Sequence, residues 1–105
     1  MQFELHSEAR EEFLSAVSRY EAEVPGLGGR FITEFDRYIA LLLKSPAMGS
    51  PIGPRLRRCV FDDHFPYSVV YAVLGQTLYV VAVAHGSRRP GYWKRRAHQR
   101  RSSSS

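Results

Sequence analysis

The chain has 105 residues, a formal net charge of +5 and 44% hydrophobic residues. This size suits one domain with a modest core, the apolar fraction is that of a globular protein, and no apolar run is long enough to span a membrane. The N-terminus lacks the basic and apolar regions of a secretory signal, and the single cysteine, Cys59, excludes an internal disulfide. We therefore expect a cytoplasmic protein.

The first half of the chain predicts a strand followed by two helices. "QFEL", Gln2 to Leu5, alternates polar and apolar residues as an opening strand does. Ser7 is the expected N-cap of the first helix. The apolar face of that helix consists of Ala9, Phe13, Ala16, Val17, Tyr20 and Val24. After the break "PGLGG", a second apolar stripe runs towards Pro46 and consists of Phe31, Phe35, Tyr38, Ile39 and Leu42.

The second half predicts a loop and three strands. "SPAMGSPIGPR" contains three prolines and two glycines and is expected to be a loop. The three β-branched and aromatic runs that follow are Leu56 to Asp62, Pro66 to Leu74 and Thr77 to His85. Gly75-Gln76 fits a type II′ hairpin turn. The predicted fold is α+β, with an antiparallel helical hairpin packed on an antiparallel meander in the order β-α-α-β-β-β.

The hairpin turn sets a register for the last two strands. It pairs Leu74 with Thr77, Tyr71 with Val80, Val69 with Ala82, and Tyr67 with Ala84, all on one side of the sheet. The other side then holds Ser68, Val70, Ala72, Tyr79, Val81, Val83 and His85. Both sides are mainly apolar, and the helices can cover only one of them. We expect the other side to receive an external partner, unless the C-terminal segment covers it.

Charge is distributed unevenly along the chain. Residues 1–50 carry eight acids and five bases, whereas residues 51–105 carry ten bases and two acids, Asp62 and Asp63. Such a basic end favours an anionic partner, namely nucleic acid, a phosphorylated ligand or an acidic protein segment. A solubilising tail remains the alternative. Residues 97–105 are basic and serine-rich and are predicted to be a disordered tail that follows a single domain, 1–96.

Motifs for metal, cofactor or nucleophile chemistry are lacking. His6, His64, His85 and His98 have no HxxxH or HxH spacing, so no metal site is expected. Cys59 lies in a predicted strand, where it is expected to be a small buried hydrophobe. There is neither a GxSxG nucleophile motif nor a glycine-rich phosphate loop, and we expect no cofactor.

The candidate site residues lie around the strand ends. They are Arg57, Arg58, Tyr67, His85, Arg88, Arg89, Tyr92 and Trp93. Arginine forks bind phosphate or carboxylate groups, and aromatic faces stack on bases or guanidinium groups. With His85 or Tyr92 to transfer protons, such a set could cleave RNA. For Tyr92 and Trp93 the alternative is a core role in which they cover the sheet. Lys94 to Arg101 are expected to act only as general electrostatics.

Three stretches of the chain carry a family likeness: "SPAMGSPIGPRLRRCVF", "FPYSVVYAV" and "VVAVAHGSRRPGYWKRR". They resemble, in order, a proline-glycine loop leading to a strand arginine, an aromatic-proline-tyrosine strand start, and a closing strand with histidine, arginine and an aromatic residue. These are features of the RelE/ParE superfamily of type II toxin-antitoxin toxins. The likeness extends over nearly the whole chain up to Arg96.

The resemblance implies one of two activities. RelE-like members are ribosome-dependent mRNA endonucleases, in which case His85, Arg88, Arg89 and Tyr92 are the expected catalytic residues. ParE-like members inhibit DNA gyrase without known nuclease activity. Ser68 stands where many RelE-like toxins have a strand arginine, which favours the ParE-like activity. In either case Arg57, Arg58, Tyr67 and Trp93 are expected to bind the target or its phosphates.

The resemblance also implies a partner. A cognate antitoxin with an acidic, amphipathic C-terminal segment is expected to wrap around the toxin and form a hetero-oligomer with it. Growth inhibition and plasmid stabilisation would follow from such a pair. Whether the protein is an enzyme stays open, and a non-catalytic nucleic-acid-binding module remains a further alternative.

Overall fold

The computed structural model describes residues 1–61 and 64–96. The elements in chain order are β1 (Gln2–Leu5), α1 (Ser7–Glu23), α2 (Leu27–Lys44), β2 (Ser50–Pro51), β3 (Arg57–Val60), β4 (Tyr67–Leu74) and β5 (Thr77–His85). The strands form one sheet in the order β1-β5-β4-β3-β2, in which β1 runs parallel to β5 and the other pairs are antiparallel. The predicted α+β fold is confirmed, with the short strand β2 and a 3₁₀ turn, Pro46–Met48, added inside the predicted loop.

Two details of the predicted elements differ from the structure. The N-cap of α1 is His6 rather than Ser7, because the His6 Nδ1 atom accepts the Glu8 N–H at 3.0 Å and so satisfies a backbone donor of the first turn. The predicted strand from Leu56 ends at Val60, and its expected end at Asp62 lies outside the described residues.

The turn between the two helices is held by a carboxylate from α1. Glu21 accepts the N–H of Gly26 at 2.9 Å and that of Gly28 at 3.1 Å, and so caps the first turn of α2. A Cβ atom at Gly28 would lie 2.8 Å from the Val17 carbonyl oxygen, and Gly26 has a φ of 90°. Glycine at both positions therefore allows the close helical hairpin.

Both helices pack on one face of the sheet, called here the helix face. The apolar stripe predicted on α2 is buried there, and its aromatic rings contact those of α1 and the strands. Phe13 and Phe35 lie with ring centroids 4.4 Å apart, and Tyr38 stacks on Phe61 at 4.6 Å. Phe31 is fully buried among these rings. The helix periodicity thus identified the main core correctly except at Val24, which follows the end of α1 and is exposed.

A β-bulge changes the predicted register. The pairs Leu74–Thr77 and Tyr71–Val80 are as predicted, and Gly75 has the φ of 60° that the first residue of a type II′ turn needs. The register then shifts between Val70 and Tyr71, so that Val69 faces Val83 and Tyr67 faces His85. The predicted pairs Val69–Ala82 and Tyr67–Ala84 are therefore wrong, because the bulge inserts one extra residue into β5. As a result, Val83 and His85 lie on the helix face.

The opposite face of the sheet, called here the second face, is also buried. Its core cluster consists of Val70, Tyr79, Val81, Ala82, Ala84 and Trp93. Trp93 is 6% exposed, and Ile52, Leu56, Leu74 and Tyr92 pack against the cluster. The expected open apolar face is therefore wrong, because the C-terminal segment, residues 86–96, covers it. The predicted tail, 97–105, lies outside the described residues. No helix in residues 1–61 and 64–96 is long and apolar enough to cross a membrane.

Candidate functional site

A network around Glu12 of α1 fixes the C-terminal segment to the body of the protein. Glu12 Oε1 accepts the Val83 N–H of β5 and an Arg96 Nη1–H, both at 3.0 Å, and Oε2 accepts the Tyr92 hydroxyl at 2.8 Å. One carboxylate thus joins a helix, a strand and the C-terminal segment. We call these contacts the Glu12–Arg96 network.

Arg96 is the buried cation of this network. Its Nη1 also donates to the Val81 carbonyl at 3.0 Å, and its Nε lies 3.1 Å from a Glu8 oxygen. Burial alone would lower the pKa of Arg96, but the hydrogen bond and charge of Glu12 outweigh it, so the pKa is raised and the side chain stays charged. The prediction that Lys94 to Arg101 provide only general electrostatics is therefore wrong for Arg96.

Tyr92 lies between arginines, with its hydroxyl turned inward. The guanidinium carbons of Arg88 and Arg96 are 4.1 Å and 5.0 Å from its ring centroid. Burial raises the pKa of Tyr92, and the hydrogen bond to the Glu12 carboxylate raises it further. Tyr92 and Trp93 thus take the core role that the sequence left open as an alternative.

The other basic residues of the C-terminal segment point outward. Arg88, Arg89, Lys94 and Arg95 are all exposed, while Trp93 is buried between them in the chain. The Arg88 N–H donates to the His85 carbonyl at 3.0 Å, which begins a tight turn directly after β5. Anchoring through Trp93 and Arg96 therefore presents four cations to solvent on a fixed backbone.

A groove lies between α1 and the end of the sheet where β5 finishes. Arg19 of α1, Tyr67, His85 and Arg88 line this groove, which has a volume of about 460 Å³. Arg19 donates a hydrogen bond to the Tyr67 hydroxyl, and its guanidinium carbon is 5.9 Å from the Tyr67 ring centroid. We call it the Arg19 groove. The structure thus brings together three of the predicted site residues and adds Arg19, which sequence reasoning missed.

His85 is held in place within the Arg19 groove. Its Nδ1 accepts the Ser87 N–H at 3.0 Å and lies 2.8 Å from the Ser87 hydroxyl oxygen. Its ring meets the Tyr67 ring edge-on, with centroids 5.1 Å apart. With Nδ1 accepting, the neutral ring carries its proton on Nε2.

The two predicted sheet arginines lie away from the groove. Arg57 Nη1 donates to the carbonyls of Gly49 at 2.6 Å and Ala47 at 3.2 Å. The Tyr71 hydroxyl holds the same loop, since it donates to the Pro46 carbonyl at 2.6 Å and accepts the Gly49 N–H at 2.9 Å. Arg57 therefore fixes the proline-rich loop in this structure.

Arg58 and Arg89 are the remaining predicted site residues. Arg58 is exposed and pairs with Val70, a residue of the second face. Arg89 is exposed in the C-terminal segment and does not line the Arg19 groove. Residues 1–61 and 64–96 contain no group of three or more histidine, cysteine, aspartate or glutamate side chains placed to hold a metal ion.

Two signals in the sequence could have identified the missed residues. Glu12 interrupts the apolar face of α1, where an acid needs a buried partner. Arg19 follows Glu11 and Ser15 at intervals of four residues, so the three lie in one line along the helix.

Comparisons with known proteins agree with this fold. The model of the family described as ParE toxin of type II toxin-antitoxin system, parDE, matches residues 3–90. No curated protein sequence gives a significant match. A solved structure described as the chromosomal ParDE TA system from P. aeruginosa is similar with a TM-score of 0.69 at 13% identity, covering 81% of this chain and 95% of that chain. At 13% identity, the similarity to the solved structure shows a shared fold only. The family model matches most of the sequence. The chain therefore belongs to the ParE toxin family of type II toxin-antitoxin systems.

Proposed function

We propose that this protein is a growth-inhibiting toxin that acts on DNA gyrase and that a cognate antitoxin neutralises. The match of the ParE toxin model to residues 3–90 carries this proposal. The solved relative is described as part of a ParDE TA system, which supports a toxin that works together with an antitoxin.

The C-terminal segment is the surface that we assign to the target. Its exposed arginines Arg88 and Arg89 follow β5 directly, and Trp93 and the Glu12–Arg96 network hold the backbone that carries them. A fixed backbone reduces the conformational entropy lost when these side chains bind. Guanidinium forks on such a backbone suit carboxylates or phosphates of a large partner.

The nuclease alternative receives less support from the same residues. β4 and β5 contain no lysine or arginine. Ser68, which the resemblance places where many RelE-like toxins have a strand arginine, is buried. Cleavage of RNA needs cations that stabilise the developing phosphate charge, and β4 and β5 supply none, although Arg19 and Arg88 line the adjoining Arg19 groove. Tyr92 is a poor proton donor because burial and the Glu12 carboxylate raise its pKa.

The proposal is tested by inducible expression without an antitoxin. We expect growth to stop and plasmid DNA to become relaxed or broken, while messages stay intact. Codon-phased cuts in messages would favour the nuclease instead. Normal growth, or steeply salt-dependent binding to arbitrary nucleic acid with unchanged supercoiling, would contradict gyrase inhibition.

A further inference from the structure

The Arg19 groove contains two cations, Arg19 and Arg88, that have no carboxylate partner among the described residues. Among residues 1–61 and 64–96, Arg19 and Arg88 contact aromatic rings and form no ion pair, whereas Arg96 neutralises Glu12 at the groove wall. Arg19 gives one hydrogen bond to Tyr67, and a guanidinium has five N–H donors. The groove therefore has spare donors and positive charge for an anionic group.

The sign of the charges along α1 favours a peptide over a nucleic acid. Glu11 lines the same groove, is exposed and forms no ion pair among the described residues. A polyphosphate chain that follows the groove would meet this carboxylate with repulsion. A peptide that carries both an acid and a base can pair with Arg19 and Glu11 at the same time.

The spacing on the helix limits what such a peptide can be. Glu11, Ser15 and Arg19 all line the groove and recur every fourth residue, so Glu11 and Arg19 are about 12 Å apart along the helix axis. An extended chain covers this distance in about three or four residues. A helix would need about eight residues for the same distance, and a groove of about 460 Å³ has room for the shorter extended stretch rather than for eight helical residues.

We propose that the Arg19 groove docks an extended, mixed-charge segment of the antitoxin. A carboxylate of that segment pairs with Arg19 and Arg88, and a basic side chain about three or four residues away pairs with Glu11. Tyr67 and Val83 form the floor beneath the segment. This inference rests on the proposed neutralisation by an antitoxin and names the place where the antitoxin binds.

Charge reversal at Arg19 tests the assignment. The probe is the purified cognate antitoxin, and its dissociation constant is measured by calorimetry for the wild type and for Arg19→Glu. We expect Arg19→Glu to bind the antitoxin roughly tenfold more weakly or worse, which corresponds to about 1.4 kcal/mol. Exchanging the facing antitoxin acid for lysine should restore binding, which a merely structural defect would not allow.

Arg10→Glu is the matched control. Arg10 is exposed on the same helix and precedes Arg19 by nine residues, about two and a half turns, so it points to the opposite side. Arg10→Glu makes the same change of charge as Arg19→Glu and should leave the affinity for the antitoxin unchanged. Equal antitoxin affinity of Arg19→Glu and the wild type would overturn the groove assignment alone. Absence of any binding by the wild type would overturn the proposed neutralisation as well. Binding of an oligothymidylate that Arg19→Glu abolishes would replace the peptide with a nucleic acid.

Discussion

The two faces of the sheet are buried to a similar degree by different means. Two amphipathic helices cover the helix face with apolar side chains such as Phe31 and Phe35. The second face is covered by a short chain segment whose main apolar contact is Trp93, and a charged network around Glu12 ties this segment down. The second face has the smaller apolar cluster, and its cover is the one that carries the exposed arginines. We infer that the helix face provides most of the global stability of the protein. The second face determines how the C-terminal segment, the surface proposed to bind the target, is oriented.

The largest expected effect is loss of stability from the helix face. Phe31→Ala removes a fully buried ring in contact with several others and should lower the free energy of unfolding by about 4 kcal/mol. Trp93→Ala on the second face should cost less global stability, because the C-terminal segment can detach while the helix face stays packed. Denaturant unfolding measures the global free energy of unfolding of both variants. Amide hydrogen exchange measures local opening of the C-terminal segment. The proposed difference between the faces would be wrong if Phe31→Ala and Trp93→Ala lowered the free energy of unfolding equally and Trp93→Ala caused no faster exchange confined to β5 and the C-terminal segment.

Glu12→Ala should have the next largest effect. It leaves the buried Arg96 with only the exposed carboxylate of Glu8 and the Tyr92 hydroxyl without its acceptor, so a loss of about 3 kcal/mol is expected. Glu12→Gln is the conservative control, because its amide oxygen can still accept one of these bonds, and it should lose about half as much. Thermal unfolding of both variants checks the order. Equal Tm values for Glu12→Ala and the wild type would mean that the network does not hold the segment.

Tyr71→Phe should have a smaller effect on stability than Phe31→Ala and Glu12→Ala. The change keeps the buried ring but removes the hydroxyl that contacts Pro46 and Gly49, so we expect a loss of about 1–2 kcal/mol. The loop before β3 should exchange its amide hydrogens faster, with no change in the C-terminal segment. Faster exchange in that segment would show that the two regions are coupled.

The sequence predicted the elements well because their patterns are local. The stripe on α2 and the Gly75 turn each depend on residues close together in the chain. The bulge in β5 was not predictable in this way, because "VVAVA" offers apolar residues for either face and a shift by one position leaves its pattern unchanged. The resulting placement of His85 on the helix face was therefore missed.

The candidate site was predicted less completely because it depends on contacts distant in sequence. Glu12 and Arg96 are 84 residues apart, and their ion pair turns a residue expected to be solvated into a buried one. Arg19 reaches the groove only through the packing of α1 on β4 and β5. Arg88 and His85 were identified because they follow one another closely at a strand end.

The most direct test of the central claim is a supercoiling assay with purified gyrase. The wild-type protein should inhibit supercoiling, and the folded variant Arg88→Ala with Arg89→Ala should need roughly tenfold more protein or higher for the same inhibition. Lys94→Ala with Arg95→Ala removes the same charge from the same segment and should stay close to the wild type. Equal inhibition by the Arg88/Arg89 variant and the wild type, or none by the wild type, would contradict the account.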